Sequence, residues 1–110
     1  MVYELRSYII DPDLIEEYLD WANNKALPIL VGKFAFRVVG FWRAVDSSEG
    51  PAPTANVHWI INWKDEAEML AKWDAARASE EWAAIRVGLP KYNLGTQRTM
   101  LTAIPRSPLQ

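Results

Sequence analysis

The sequence predicts an α+β domain, a four-stranded antiparallel sheet with two helical segments on one face. Three observations predict it. Period-two and period-3.6 stretches follow one another in the order β-α-β-β-α-β. The chain has 110 residues, enough for one domain around one core. Half of it is hydrophobic and 24% is charged, the balance of a globular chain rather than a disordered one.

Each element has its own signal. Val2 to Ile10 alternates, with Tyr3, Leu5, Ser7 and Ile9 on one face and Glu4, Arg6 and Tyr8 on the other. Asp11-Pro12-Asp13 starts a helix, and Leu14, Ile15, Tyr18, Leu19, Ala22 and Ala26 form its apolar stripe. Pro28 should kink or end it, with Gly32 as the final stop. Phe34 to Val45 reads as a second strand in which Gly40 marks a bulge or a close approach of another backbone. Residues 46–55 read as a mobile loop, a candidate lid. Val57 to Trp63 is the third strand, with Val57, Trp59, Ile61 and Trp63 on one face and His58, Ile60 and Asn62 on the other. Asp65 and Glu68 form a capping box for the second helical segment, which breaks near Ser79 and ends at Gly88 and Pro90. Thr96 to Ala103 is the last strand, so the domain spans residues 1–103 and an extended tail residues 104–110. This order is that of the ferredoxin-like sheet. It leaves one sheet face bare, which a second copy would cover to give a dimeric α+β barrel.

Composition excludes several functions. A net charge of -2 argues against a nucleic-acid binder. With no Cys and one His, neither a disulfide, a thiol nucleophile nor a His/Cys metal cluster can form within the chain. No apolar run reaches the ~18 residues of a membrane span, and Met1-Val2-Tyr3-Glu4 does not open like a signal peptide, so the cytoplasm is the expected compartment. The acids Asp11, Asp13, Glu16, Glu17 and Asp20 read as a solvated helix start rather than a metal site. Six Trp, four Tyr and three Phe are more rings than a small core hides, so some should line an interface or a ligand cavity.

If the apolar faces turn toward the helices, Tyr3, Leu5 and Ile9 go inward, and Glu4, Arg6, Tyr8, His58 and Asn62 converge on the bare face. There Arg6 could bind a carboxylate or enolate oxygen, His58 could carry a proton, and Tyr8 and Asn62 could orient a polar group. The plain alternatives stand beside this. Glu4 and Arg6 also read as a cross-strand charge ladder, and His58 as an ordinary hydrogen-bonding residue.

Several segments resemble the NIPSNAP family. Tyr3-Glu4-Leu5-Arg6-Ser7-Tyr8 is similar to its opening strand, Ala26-Leu27-Pro28-Ile29 to the end of its first helix, and Val39-Gly40-Phe41-Trp42-Arg43 to its second strand. Gly50-Pro51 sits where the family carries that pair, Ser79-Glu80-Glu81-Trp82 resembles its D-P-x-W segment without the Pro, and Ser107-Pro108-Leu109 its terminal S-P-L. The resemblance implies the dimeric α+β barrel and little about chemistry. The family's V-H-x-W matches Val57-His58 only in part, and His58 lies one place late relative to Gly50-Pro51. Either the loop holds an insertion, or Trp59 has taken the position and His58 faces the other way. The apolar face favours the insertion.

The first functional reading is a cofactor-independent enzyme of isomerase, cyclase or monooxygenase type acting on a partly apolar carbonyl compound. His58 would move the proton, Arg6 and Tyr8 would stabilise the enolate, and Glu4, Asn62, Trp42 and Phe36 would contact substrate. The second is a non-catalytic binding or interaction domain. The third is a haem-binding barrel, with His58 and a few Tyr as the available iron ligands. The expected partners are a small molecule and a second copy, without nucleic acid, membrane, metal or tightly held cofactor.

Overall fold

The computed structural model describes residues 1–45 and 54–110. The lid role expected of the 46–55 loop, and the Gly50-Pro51 pair, therefore lie almost wholly outside the described residues. The elements are β1 (Val2–Ile10), α1 (Ile15–Trp21), a π-helical turn (Ala22–Ala26), α2 (Leu27–Gly32), β2 (Arg37–Arg43), β3 (Val57–Trp63), α3 (Glu66–Arg77), α4 (Glu80–Arg86) and β4 (Asn93–Leu101). All strand pairs are antiparallel in the order β2-β3-β1-β4, the ferredoxin-like arrangement that the periodicity predicts. β1 and β3 match their predicted limits. β2 is shorter than predicted at both ends, and β4 begins three residues earlier than predicted, at Asn93. No helix among the described residues is long and apolar enough to cross a membrane.

Both helical segments pack on one sheet face. The core there joins Ile10, Val57, Trp59, Ile61 and Trp63 of the sheet to Ile15, Tyr18, Leu30, Met69, Trp73 and Ala76 of the helices. Phe36 lies among them at 2% exposure, edge-on to Trp63 and Trp73 with ring centroids 5.0 and 4.8 Å away. It is core, not the cavity wall predicted for it.

The face of β1 is a second correction. Arg6 stands opposite Trp59 and Glu4 opposite Ile61, so Glu4, Arg6, Tyr8 and Ile10 share the helix-facing side with the β3 core residues. Tyr3, Leu5, Ser7 and Ile9 occupy the other face, beside Asn62, Ile60 and His58. The polar side of β1 faces inward because its polar atoms find partners there. Glu4 is fully buried, and both its carboxylate oxygens are hydrogen-bonded. The face predicted for β3 is the one observed.

The first helical segment departs from a plain kink at Pro28. The Leu27 N–H reaches the Ala22 carbonyl across one π turn, and the helix continues as α-helix with Pro28 in the first turn of α2. In β2 the pairing shifts between Val38 and Gly40, which makes Val39 the bulge. A Cβ at Gly40 would fall 2.3 Å from the Trp42 ring, so what crowds this glycine is a side chain and not the second backbone expected there.

The capping box at Asp65 forms in part. Asp65 accepts from the Glu68 N–H at 2.8 Å, but the Glu68 carboxylate turns to the Lys64 N–H at 2.9 Å and to Arg37. The Arg37 hydrogen bond, then the Lys64 N–H, lowers the Glu68 pKa from 4.5 to about 2. A depressed carboxylate stabilises the fold above its unfolded pKa and loses that contribution as pH falls toward its folded one. In urea titrations, the stability gap between wild type and Glu68→Gln should be full above pH 4.5 and close as pH falls toward 2. A gap that stays constant over that range would show that the Arg37–Glu68 contact contributes nothing.

Candidate functional site

A cavity of about 280 Å³ opens between the sheet and the helical layer. It exists because the sequence places small residues where the first helical segment crosses the sheet. Ala22 and Ala26 face inward at 3% and 5% exposure and bound the π turn, a feature that recurs at functional sites. Larger side chains there would fill the space. The walls are aromatic: Tyr8, Tyr18, Trp21, Phe41, Trp59, Trp73 and Trp82. Trp21 and Trp82 lie with centroids 6.0 Å apart, and the Trp21 indole N–H donates to the Ile85 carbonyl at 2.8 Å, tying α1 to α4 across one wall.

A polar network runs along the floor on β1. Both Trp63 and Trp73 donate their indole N–H to Glu4 Oε1, at 3.0 and 2.9 Å, and Arg6 Nη1 donates to Glu4 Oε2 at 2.8 Å. Arg6 Nε donates to the Tyr8 hydroxyl at 2.7 Å, and the Trp59 indole N–H donates to the same oxygen at 2.9 Å. The guanidinium lies over the Trp73 ring at 4.9 Å. Burial works against the charge of Arg6, but the Tyr8 hydroxyl and Glu4 outweigh it and raise its pKa above the ordinary value.

Tyr8 is the group this network prepares. A phenol oxygen has two lone pairs, and both receive hydrogen bonds here. Its own proton bonds to none of the described residues, and Tyr8 lines the cavity. Tyr18 lines it too, and burial first, then Tyr8, pushes its phenol pKa up, so it stays a neutral donor. The remaining polar lining residues are Arg6, Arg77, Arg86 and Asn93. The cavity thus presents hydrogen-bond donors and cations, without a lining carboxylate or imidazole among the described residues.

The predicted site residues separate into two groups. Arg6 and Tyr8 meet in the cavity, with Glu4 buried beneath Arg6. His58, Asn62 and Trp42 lie on the opposite sheet face. There Trp42 pairs with His58 across the strands, and His58 Nδ1 lies 2.9 Å from Ser7 Oγ. Arg6 and His58 therefore do not look into one chamber, and the sheet stands between them. Asn62 accepts from Arg37 Nε at 3.2 Å. Trp21, Trp82, Arg77, Arg86 and Asn93 were not among the predicted site residues. The excess of rings pointed to lined cavities in general, but no local pattern marks residues that four different elements bring together.

The fold and this sheet–helix cavity define a ferredoxin-like α+β protein with its pocket inside one chain. The NIPSNAP family model matches residues 3–108, and the chain belongs to that family. An uncharacterized NIPSNAP domain protein from Burkholderia xenovorans is similar in structure, with a TM-score of 0.81 at 19% identity over 98% of this chain and 99% of that one. A NIPSNAP family protein from Agrobacterium tumefaciens gives a TM-score of 0.86 at 16% identity over 99% and 98%. The haem-degrader MhuD from Mycobacterium tuberculosis, solved with two haems in its active site, gives 0.59 at 10% identity over 94% and 96%. No curated protein matches the sequence.

Proposed function

We propose that this chain binds a small, partly apolar molecule in the cavity between sheet and helices, with a carbonyl or related oxygen held by the Tyr8 hydroxyl. The observation that carries the reading is Tyr8 itself, a buried donor fixed by two incoming hydrogen bonds with its proton left for a guest. Aromatic walls supply the apolar contact. The volume falls near the small end of the roughly 300–1,000 Å³ usual for ligand pockets. Enolate chemistry based on His58 is dropped, because that imidazole lies on the far face from Arg6 and Tyr8. The lack of a lining carboxylate or imidazole among the described residues favours binding over proton abstraction, which needs a base within hydrogen-bond reach. Pairing of two copies through the sheet face away from the helices belongs to the same proposal, supported by the half-exposed Trp42 there; the cavity itself is lined by residues of one chain.

A haem like those of MhuD does not fit the residues present. The chain's one histidine is outside the cavity, both lone pairs of Tyr8 are already engaged, and burial keeps the proton on the Tyr18 phenol.

The test is to fill the cavity. Ala26→Leu should melt cooperatively and fail to capture acetophenone or 2-acetonaphthone in native mass spectrometry, whereas wild type captures them. An overpacked site of this kind loses about 1–3 kcal/mol of stability, which a melting curve will register. Equal capture by both proteins, or by neither, would defeat the proposal.

A further inference from the structure

We infer that the cavity is built for a planar organic anion, an aromatic carboxylate or phosphate monoester, whose charge is read by Arg77 and Arg86 at the rim. This rests on the binding reading above and names the ligand class. The chain carries a net charge of -2, yet the cavity lining gathers Arg6, Arg77 and Arg86 and contains no lining carboxylate among the described residues. The one acid that touches the cavity network, Glu4, lies beneath Arg6 and is fully occupied by it and by two indoles. It therefore does not compensate the rim arginines, whose one acid partner among the described residues is Asp74, 3.8 Å from Arg77.

The two rim arginines are held rather than loose. Arg77 lies over the Trp73 ring at 5.3 Å and Arg86 over the Trp82 ring at 5.9 Å, so each guanidinium rests on an aromatic wall of the cavity. Neither is spent on a close ion pair. The nearest carboxylate oxygen to Arg77 is that of Asp74, 3.8 Å away between two exposed groups, and Arg86 makes no ion pair with the described residues. Arg77 thus keeps only a long, exposed i, i+3 pair, and Arg86 keeps none among the described residues. A guanidinium presents a planar fork that matches a carboxylate. A flat ligand between the rings would place its oxygen at Tyr8 and its anion among these arginines.

Tryptophan fluorescence can follow binding of 2-naphthoate and of the neutral 2-acetonaphthone. Wild type should bind the anion at least roughly tenfold more tightly, in line with a charge-assisted hydrogen bond, and salt should erode the preference. In the Arg77→Met/Arg86→Met double variant the ratio of anion to ketone affinity should fall to about one. Tighter binding of 2-naphthyl phosphate would assign the anion to a phosphate ester within the same class. Equal binding of anion and ketone by wild type, or a preference that survives in the double variant, overturns the inference and leaves the binding proposal standing. Binding of neither probe by wild type overturns both.

Discussion

Replacing Glu4 with leucine should lower the unfolding free energy by about 3–5 kcal/mol, the loss expected when one partner of a buried ion pair is removed. Three donors lose their acceptor together: the indoles of Trp63 and Trp73 and the guanidinium of Arg6. Trp63 is fully buried and has no water to turn to. Glu4→Gln should lose less, because an amide oxygen can still accept from the indoles. Glu4→Leu combined with Arg6→Met should recover part of the loss, since no buried charge is then unpaired. Urea unfolding of the three variants measures these differences. A Glu4→Leu protein as stable as wild type would show that the network does not hold the floor of the cavity.

Tyr8→Phe should separate the structural from the functional share of the same network. Two donors, Arg6 Nε and Trp59 Nε1, lose the oxygen they share. The stability loss should be about 1–3 kcal/mol, the usual cost of unsatisfied buried groups. Capture of 2-acetonaphthone should weaken by roughly tenfold or more, because the donor aimed at the guest is gone. Titration of the folded variant measures the second effect independently of the first. Unchanged affinity beside lowered stability would make Tyr8 a scaffold residue only.

The order of elements was legible in the sequence because each periodic stretch is long enough to show its period. The β3 face was legible as well, since Val57, Trp59, Ile61 and Trp63 leave one choice of inside. β1 misled for a definite reason. Tyr3, Leu5 and Ile9 form the more apolar row, yet Tyr3 faces away from the helices, and its hydroxyl donates to the Gln110 carbonyl of the returning tail. The indoles carried a usable signal. Trp59, Trp63 and Trp73 each bring a buried N–H that must find an acceptor. Glu4 and Tyr8 on the strand next to β3 are the acceptors those indoles use. Read that way, the mixed row of β1 becomes the natural inner face.

By itself the sequence determined the antiparallel α+β fold, the family, and the fact that rings would outnumber the places in a small core. The fold and the surplus of rings follow from hydrophobic period, turn chemistry and composition, which are local or additive; the family follows from the resemblance of several motifs in order. Tertiary structure alone decided that Arg6 and Tyr8 share a chamber while His58 stands behind the sheet. A strand's side chains alternate, so which row faces inward depends on the partners that the neighbouring strand and helices offer. Arg77 and Arg86 reach the same chamber only because α3 and α4 pack over that row. Residues that far apart in the chain leave no common period to read.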